Sequence, residues 1–172
     1  MIMDELTKGL AISLQGREAQ RHVRRFKKQL AAWRLTMPRV KPLVLDFGLG
    51  DFTKTGLIEY WVANEERAGY CGKYLFVFDG QTCPSHRHKT KHETFFIVQG
   101  KVRMRAGKRS WSMKPGDVFT VPRWAYHSFT GLGPALLLEV STPCAISDNY
   151  FKNAAIPIGG GYTCRGNDRI PA

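Results

Sequence analysis

From Lys41 onward the chain is cut into short apolar runs by glycine and proline. This punctuation constrains the fold more than any other feature of the 172 residues. Leu57–Val62, Lys73–Phe78, Thr94–Val98, Val102–Arg105, Ser110–Met113, Val118–Val121, Tyr126–Phe129 and Ala135–Val140 are rich in Val, Phe, Tyr and Trp and read as strands. Gln99-Gly100 and Ala106-Gly107 are turn signals between them. Strands this short and this closely spaced predict a sandwich or a small barrel. The stretch from Asp4 to Thr36 differs: it has no proline, and Leu, Ala, Gln, Lys and Arg dominate it. Leu6, Leu10, Ile12 and Leu14, then Val23, Phe26, Leu30 and Trp33, form an i, i+3, i+4 stripe. This predicts two helices broken near Gln15-Gly16, with Pro38 closing the second. The expected organisation is a helical segment over residues 1–40 and a β-barrel with a C-terminal tail over residues 41–172.

Charge and cysteine content narrow the class. Lysine and arginine number 26 against 14 acids, a formal charge of +12. The excess is concentrated in two blocks, Arg17 to Lys41 and Arg87 to Lys114. No nucleic-acid motif accompanies it, so the first block reads as the solvated face of a helix, and neither a nucleic-acid nor a membrane partner is expected. No apolar run approaches a membrane span, and the acidic start, Met1 to Leu6, does not read as a signal peptide. Cys71, Cys83, Cys144 and Cys164 stand apart without a CxxC pair, which predicts reduced, mostly buried thiols in a cytoplasmic protein.

The chemistry-bearing stretch begins at Gly80. His86 and His88 stand at i and i+2, so on a strand they share a face. Glu93 heads the next strand, and His127 opens a later one. Three imidazoles and a carboxylate converging inside a barrel suit a divalent first-row metal with open coordination positions. Lys91 lies two residues before Glu93 and is expected on the same interior side. Glu139 interrupts Leu136-Leu137-Leu138 and Val140, so it is either buried and paired or catalytic. His92 breaks the ligand phase and is expected to face out. His22 is read as a surface histidine.

These residues resemble the cupin superfamily. Gly80, His86, His88, Glu93 and Gly100 match every fixed position of its first motif, G(X)5HXH(X)3–4E(X)6G. Gly116, Pro122 and His127 match the second, G(X)5PXG(X)2H(X)3N, while Trp124 and Gly131 replace its glycine and asparagine. A narrower resemblance, over about Leu45 to Phe151, is to the D-lyxose isomerases. It is carried by Asp46-Phe-Gly48-Leu-Gly50-Asp51-Phe52, Gly80-Gln81-Thr82-Cys83-Pro84, His127-Ser128-Phe129, Glu139-Val140-Ser141-Thr142 and Asp148-Asn149.

The resemblance implies an all-β cupin barrel (jelly roll), a homodimer, and one divalent metal, Mn²⁺, on His86, His88, Glu93 and His127. It implies aldose–ketose isomerisation of D-lyxose to D-xylulose, and of D-mannose to D-fructose, through a cis-enediolate. Lys91 and Glu139 are the expected acid–base pair, with Lys91 lowered in pKa by the neighbouring cation. Tyr74, Trp124 and Asp148 are the expected sugar contacts. The rival readings are a non-haem metal dioxygenase, which uses the same ligands, and a non-enzymatic sugar-binding cupin.

Overall fold

The computed structural model describes residues 4–160; Cys164 lies outside them. Two helices lead. Asp4 caps α1 (Glu5–Ile12), its carboxylate accepting the Thr7 amide at 2.8 Å. The longer α2 (Gly16–Trp33) stops before Pro38, at Arg34 in the left-handed region with φ 57°. Nine antiparallel pairings then build two sheets. The strands are β1 (Leu43–Leu45), β2 (Leu57–Glu65), β3 (Tyr70–Val77), β4 (Thr82–Arg87), β5 (Glu93–Gln99), β6 (Val102–Ala106), β7 (Arg109–Met113), β8 (Val118–Val121), β9 (His127–Gly131), β10 (Ala135–Ser141) and β11 (Tyr150–Phe151). One sheet runs β1-β2-β3-β10-β5-β8 and the other β11-β4-β9-β6-β7. All eight apolar runs are strands. The three additional ones are short or, in β4, carry Pro84.

The six-stranded sheet buries its inner face and the part of its outer face that α2 covers, and period-2 alternation sorts its side chains between the two. Leu57, Trp61, Leu75, Phe95, Ile97, Val121 and Leu137 point into the barrel and meet Met104, Met113 and Phe129 of the other sheet. On the outer face, Val44, Ile58, Tyr60, Phe76 and Leu136 lie under α2, which contributes Phe26 and Leu30. The helical stripe packs as its spacing requires, with one correction. His22 is buried, its ring 4.2 Å from that of Phe52, because it stands one turn before Phe26 on the same face. The basic residues from Arg17 to Lys41 are on exposed positions.

The two motif substitutions have local reasons. Gly131 packs so tightly on β3's exit that a Cβ there would stand 2.2 Å from the Phe78 carbonyl oxygen, which leaves no room for asparagine. Trp124 adopts φ 63°, keeping the left-handed turn a glycine would take more cheaply, and its amide donates to the His88 carbonyl at 2.7 Å. The loop shape therefore survives the loss of the glycine. No helix among the described residues is long and apolar enough to cross a membrane.

Candidate metal centre

His86 on β4, His88 just after it, Glu93 at the start of β5 and His127 at the start of β9 are all buried. Each can turn one donor atom inward so that the four atoms lie within 4.8 Å of one another. Metal–ligand bonds of about 2.0–2.3 Å place donors no more than about 4.6 Å apart, so the set closes on one ion with little movement. The imidazoles are already oriented. His86 Nδ1 lies 2.8 Å from the Pro84 carbonyl, His88 Nδ1 2.8 Å from the Asp148 carbonyl, and His127 Nδ1 3.1 Å from the Ala125 carbonyl. A carbonyl can only accept, so each Nδ1 carries the proton and each Nε2 is left with its lone pair.

Three buried polar atoms at this point make no hydrogen bond: His88 Nε2, His127 Nε2 and Glu93 Oε2. Orphaned acceptors at one spot are costly unless a cation is meant to satisfy them. The protonation states agree. Burial, helped by His127 and His88, holds His86 well below the ordinary histidine range and keeps it neutral. Burial would raise Glu93, but the Lys91 ammonium outweighs it and holds the carboxyl well below its usual range. The residues present thus fit a divalent metal ion.

Beside this set lies a buried ion cluster. Lys91 Nζ stands 2.6 Å from Glu93 Oε1 and also bridges to Glu139 Oε1. Ser141 donates to the same Glu139 oxygen at 3.0 Å. Burial alone would push the Lys91 amine down, but Glu139 and Glu93 outweigh it and keep it charged. Glu139 in turn is held low: burial opposes this, but Lys91 and then Lys73 prevail.

Of the three expected sugar contacts, the side chains of Tyr74 and Trp124 are not brought to this cluster, and Asp148 lies beside it. Tyr74 is on the outer face of β3, opposite Tyr60 and under the helix-covered core, because its neighbour Lys73 takes the inward position. Trp124 is half-exposed, with the Arg87 guanidinium 4.7 Å from its ring and Tyr150 5.4 Å away; Arg87 alternates with the inward His86 and His88 and carries that stack to the outer side. Asp148 is near the site, but its carboxylate is taken up by the loop between β4 and β5. His92 faces out as expected.

Sequence reasoning missed Lys73. It is buried, 3.4 Å from Glu59 and 3.1 Å from the Cys144 sulfur, and opposite Glu139 in register. The signal was present: Cys71, Lys73, Leu75 and Val77 alternate onto one face. Phe151, where the resembling stretch ends, has its ring 5.6 Å from that of His86 and 5.5 Å from that of Phe47, at the wall of the site.

Similarities to known proteins follow the same outline. The cupin domain profile matches residues 75–141 and the D-lyxose isomerase profile residues 30–101. A D-lyxose ketol-isomerase of Cohnella laeviribosi is 30% identical over 66% of this chain and 76% of its own. A D-lyxose/D-mannose isomerase of Thermosediminibacter oceani is 49% identical, in a match spanning 34% of this chain and 35% of that protein. In fold, the chain is similar to an Acinetobacter L-ribose isomerase solved with L-ribose, with a TM-score of 0.69, 18% identity, and coverage of 84% of this chain and 95% of that one.

Proposed function

The chain belongs to the D-lyxose ketol-isomerase family of cupins, an isomerase family, and on that premise we propose that it interconverts D-lyxose and D-xylulose, and D-mannose and D-fructose, through a cis-enediolate. The observation that carries the reading is the Lys91 ammonium lodged between Glu139 and Glu93, the carboxylate of the donor set. Aldose–ketose exchange moves one proton from C2 to C1 and another from O2 to O1. It needs a proton acceptor over the carbons and a donor near the oxygens. A buried pair of ionised Glu139 and charged Lys91 supplies both.

His86, His88, Glu93 and His127 would hold the ion, which we take to be Mn²⁺, the family resemblance choosing among the metals that this donor set accepts. When bound, it supplies Lewis-acid polarisation of the sugar carbonyl and so acidifies the C2 proton. Glu139, a carboxylate with one oxygen held by Ser141 and Lys91, is positioned to accept the C2 proton and return it to C1. Lys91 cannot accept a proton while charged, so it donates to the carbonyl oxygen and recovers the proton from the neighbouring hydroxyl.

A dioxygenase using the same ligands would have no task for this acid–base pair. The homodimer remains part of the proposal. Phe96, Val118 and Val140 leave an exposed apolar face on β5, β8 and β10, and light scattering on the eluting protein decides it. The three free, buried cysteines among the described residues support a reducing, cytoplasmic setting.

The test is a set of aldoses incubated with Mn²⁺-reconstituted protein, with products separated by chromatography. D-lyxose should yield D-xylulose, and in heavy water the product should carry deuterium at C1. A protein that turns over no aldose overturns the reading. Product without solvent deuterium overturns the enediolate path in favour of a hydride shift.

A further inference from the structure

Asp148 sits in a 3₁₀ turn (Ile146–Asp148) more than fifty residues from the loop it touches. Its carboxylate accepts four donors from that loop. The Lys89 amide reaches Oδ1 at 2.9 Å, the Thr90 amide and hydroxyl reach Oδ2 at 3.0 and 2.6 Å, and the Lys91 amide reaches Oδ2 at 3.0 Å. Three consecutive N–H groups converging on one anion form a nest, a shape the loop keeps only while an anion fills it. The backbone carbonyl of the same residue accepts the His88 Nδ1 proton at 2.8 Å. One residue therefore grips the chain on both sides of the loop: the imidazole of a proposed metal ligand, and the backbone of the proposed proton donor.

The turn is itself held from behind. The Ile146 amide donates to Glu5 of α1 at 2.6 Å, and the Cys144 amide and carbonyl are both bonded to the Asn64 side chain of β2, at 2.8 and 3.0 Å. Asp148 is fixed by elements outside the site and transmits that fixity into it. This also explains why its carboxylate is not free for a sugar hydroxyl: every close partner it has is a loop donor.

We propose that Asp148 is a positioning residue that sets His88 and Lys91 together, so that metal affinity and proton transfer depend on one side chain. The proposal rests on the isomerase reading for its Lys91 half only; the His88 half stands on metal binding alone. Loss of the carboxylate frees the loop, lets the His88 ring turn, and moves the Lys91 ammonium off the line between Glu93 and Glu139. Outer partners of metal ligands characteristically contribute about 10–100-fold in affinity or activity.

The experiment uses the full-length metal-free protein titrated with Mn²⁺ by calorimetry, beside kinetics at saturating Mn²⁺ and a thermal melt. Asp148→Asn, which places an amide against three N–H donors, should weaken Mn²⁺ binding by about 10–100-fold. It should also lower kcat at saturating metal, with KM little changed. Thr90→Val removes only the hydroxyl arm and keeps the three amides, so it should fold and shift both quantities in the same direction by less. A lower melting temperature with Mn²⁺ affinity and kcat unchanged in both variants makes Asp148 a plain loop anchor and overturns the proposal. A raised KM with affinity and kcat unchanged shows the carboxylate on the sugar and overturns it equally. If wild type isomerises no aldose yet Asp148→Asn still loses Mn²⁺ affinity, the positioning of His88 is supported and the sugar reading falls alone.

Discussion

The two faces of the six-stranded sheet are built from alternate residues of the same strands, yet they do different work. On β3, Lys73 turns inward and Tyr74 outward; on β10, Glu139 turns inward and Leu136 outward. The outer face, under α2, is aromatic and aliphatic. Phe76 packs edge-on against Phe26 at 4.7 Å and Phe78 at 4.8 Å. The inner face carries Glu59, Lys73, Glu93 and Glu139, with Lys73 paired to Glu59 and Lys91 bridging Glu93 and Glu139. Buried charges cost far more than buried rings unless they are paired, so the inner face is a poor source of stability. The outer face offsets that cost and leaves the inner face free to hold an acid–base pair.

The largest effects should come from the inner face and appear in turnover. Lys91→Ala and Glu139→Gln should each reduce kcat by about 10²–10⁴-fold, and the double variant should lose little more, because the two groups share one proton transfer. Lys91→Ala also strands two buried carboxylates and should lose stability on the scale of a broken buried pair, about 3–5 kcal/mol. Calorimetric Mn²⁺ titration should still find a site in Glu139→Gln. Additive losses would show that the two groups act in separate steps.

Next comes the outer face, where the effect should be on stability alone. Phe76→Ala removes a fully buried ring from the helix–sheet contact and should cost about 3–5 kcal/mol. Denaturant unfolding measures this. Well below the melting point, kcat and Mn²⁺ affinity should equal those of wild type. A comparable fall in kcat would mean the two faces are mechanically coupled and the division drawn above is false.

How much of this was legible depends on how local the signal is. The eight runs rich in β-branched and aromatic residues were readable because alternation and propensity agree within each. β4 was not, since Thr82 to Arg87 holds a proline and few strand formers and is fixed by its pairing with β9. The four-residue donor set could be read from motif spacing, and the structure brings it together. The sugar contacts could not. Tyr74 is expected as a sugar contact by resemblance alone, while Lys73 occupies the inward phase of its strand, and Asp148 makes its bonds 57 to 60 residues away, a distance no local pattern reports. His22 could have been read correctly: counting back from Phe26 by one turn places it on the apolar side despite its arginine neighbours.

A smaller effect tests the placement of Trp124. The left-handed backbone at a non-glycine residue costs about 1–2 kcal/mol, and the Arg87 contact over the ring returns about 0.5–1 kcal/mol. Trp124→Gly removes both, so stability should move by no more than about 1.5 kcal/mol, upward if strain dominates. Because the ring lies on the outer side with Arg87 and Tyr150, KM for the sugar should not change. A KM raised tenfold would put the indole back at the pocket.

The smallest effect concerns His22, which belongs to the outer face and tests whether that face tolerates charge at all. Its Nδ1 is buried without a hydrogen-bond partner. Burial first, then Arg25, lower its pKa below the ordinary value of 6.5; Glu18 opposes them and Arg21 adds the least. Above about pH 6.5 both folded and unfolded chains hold the neutral ring, and His22 makes no pH-dependent contribution. Below that value the unfolded chain binds a proton that the folded one refuses. Stability therefore falls with pH through this window until the folded ring titrates in its turn. His22→Phe keeps an aromatic ring against Phe52 and removes the proton site. The loss of stability between pH 7.5 and 5.5, measured by urea unfolding, should be smaller in the variant than in wild type. Other histidines and carboxylates contribute to both proteins alike and drop out of the difference. Equal losses would mean that His22 titrates as freely in the folded protein as in the unfolded chain, and that the α2-covered face is more open to water than its packing indicates.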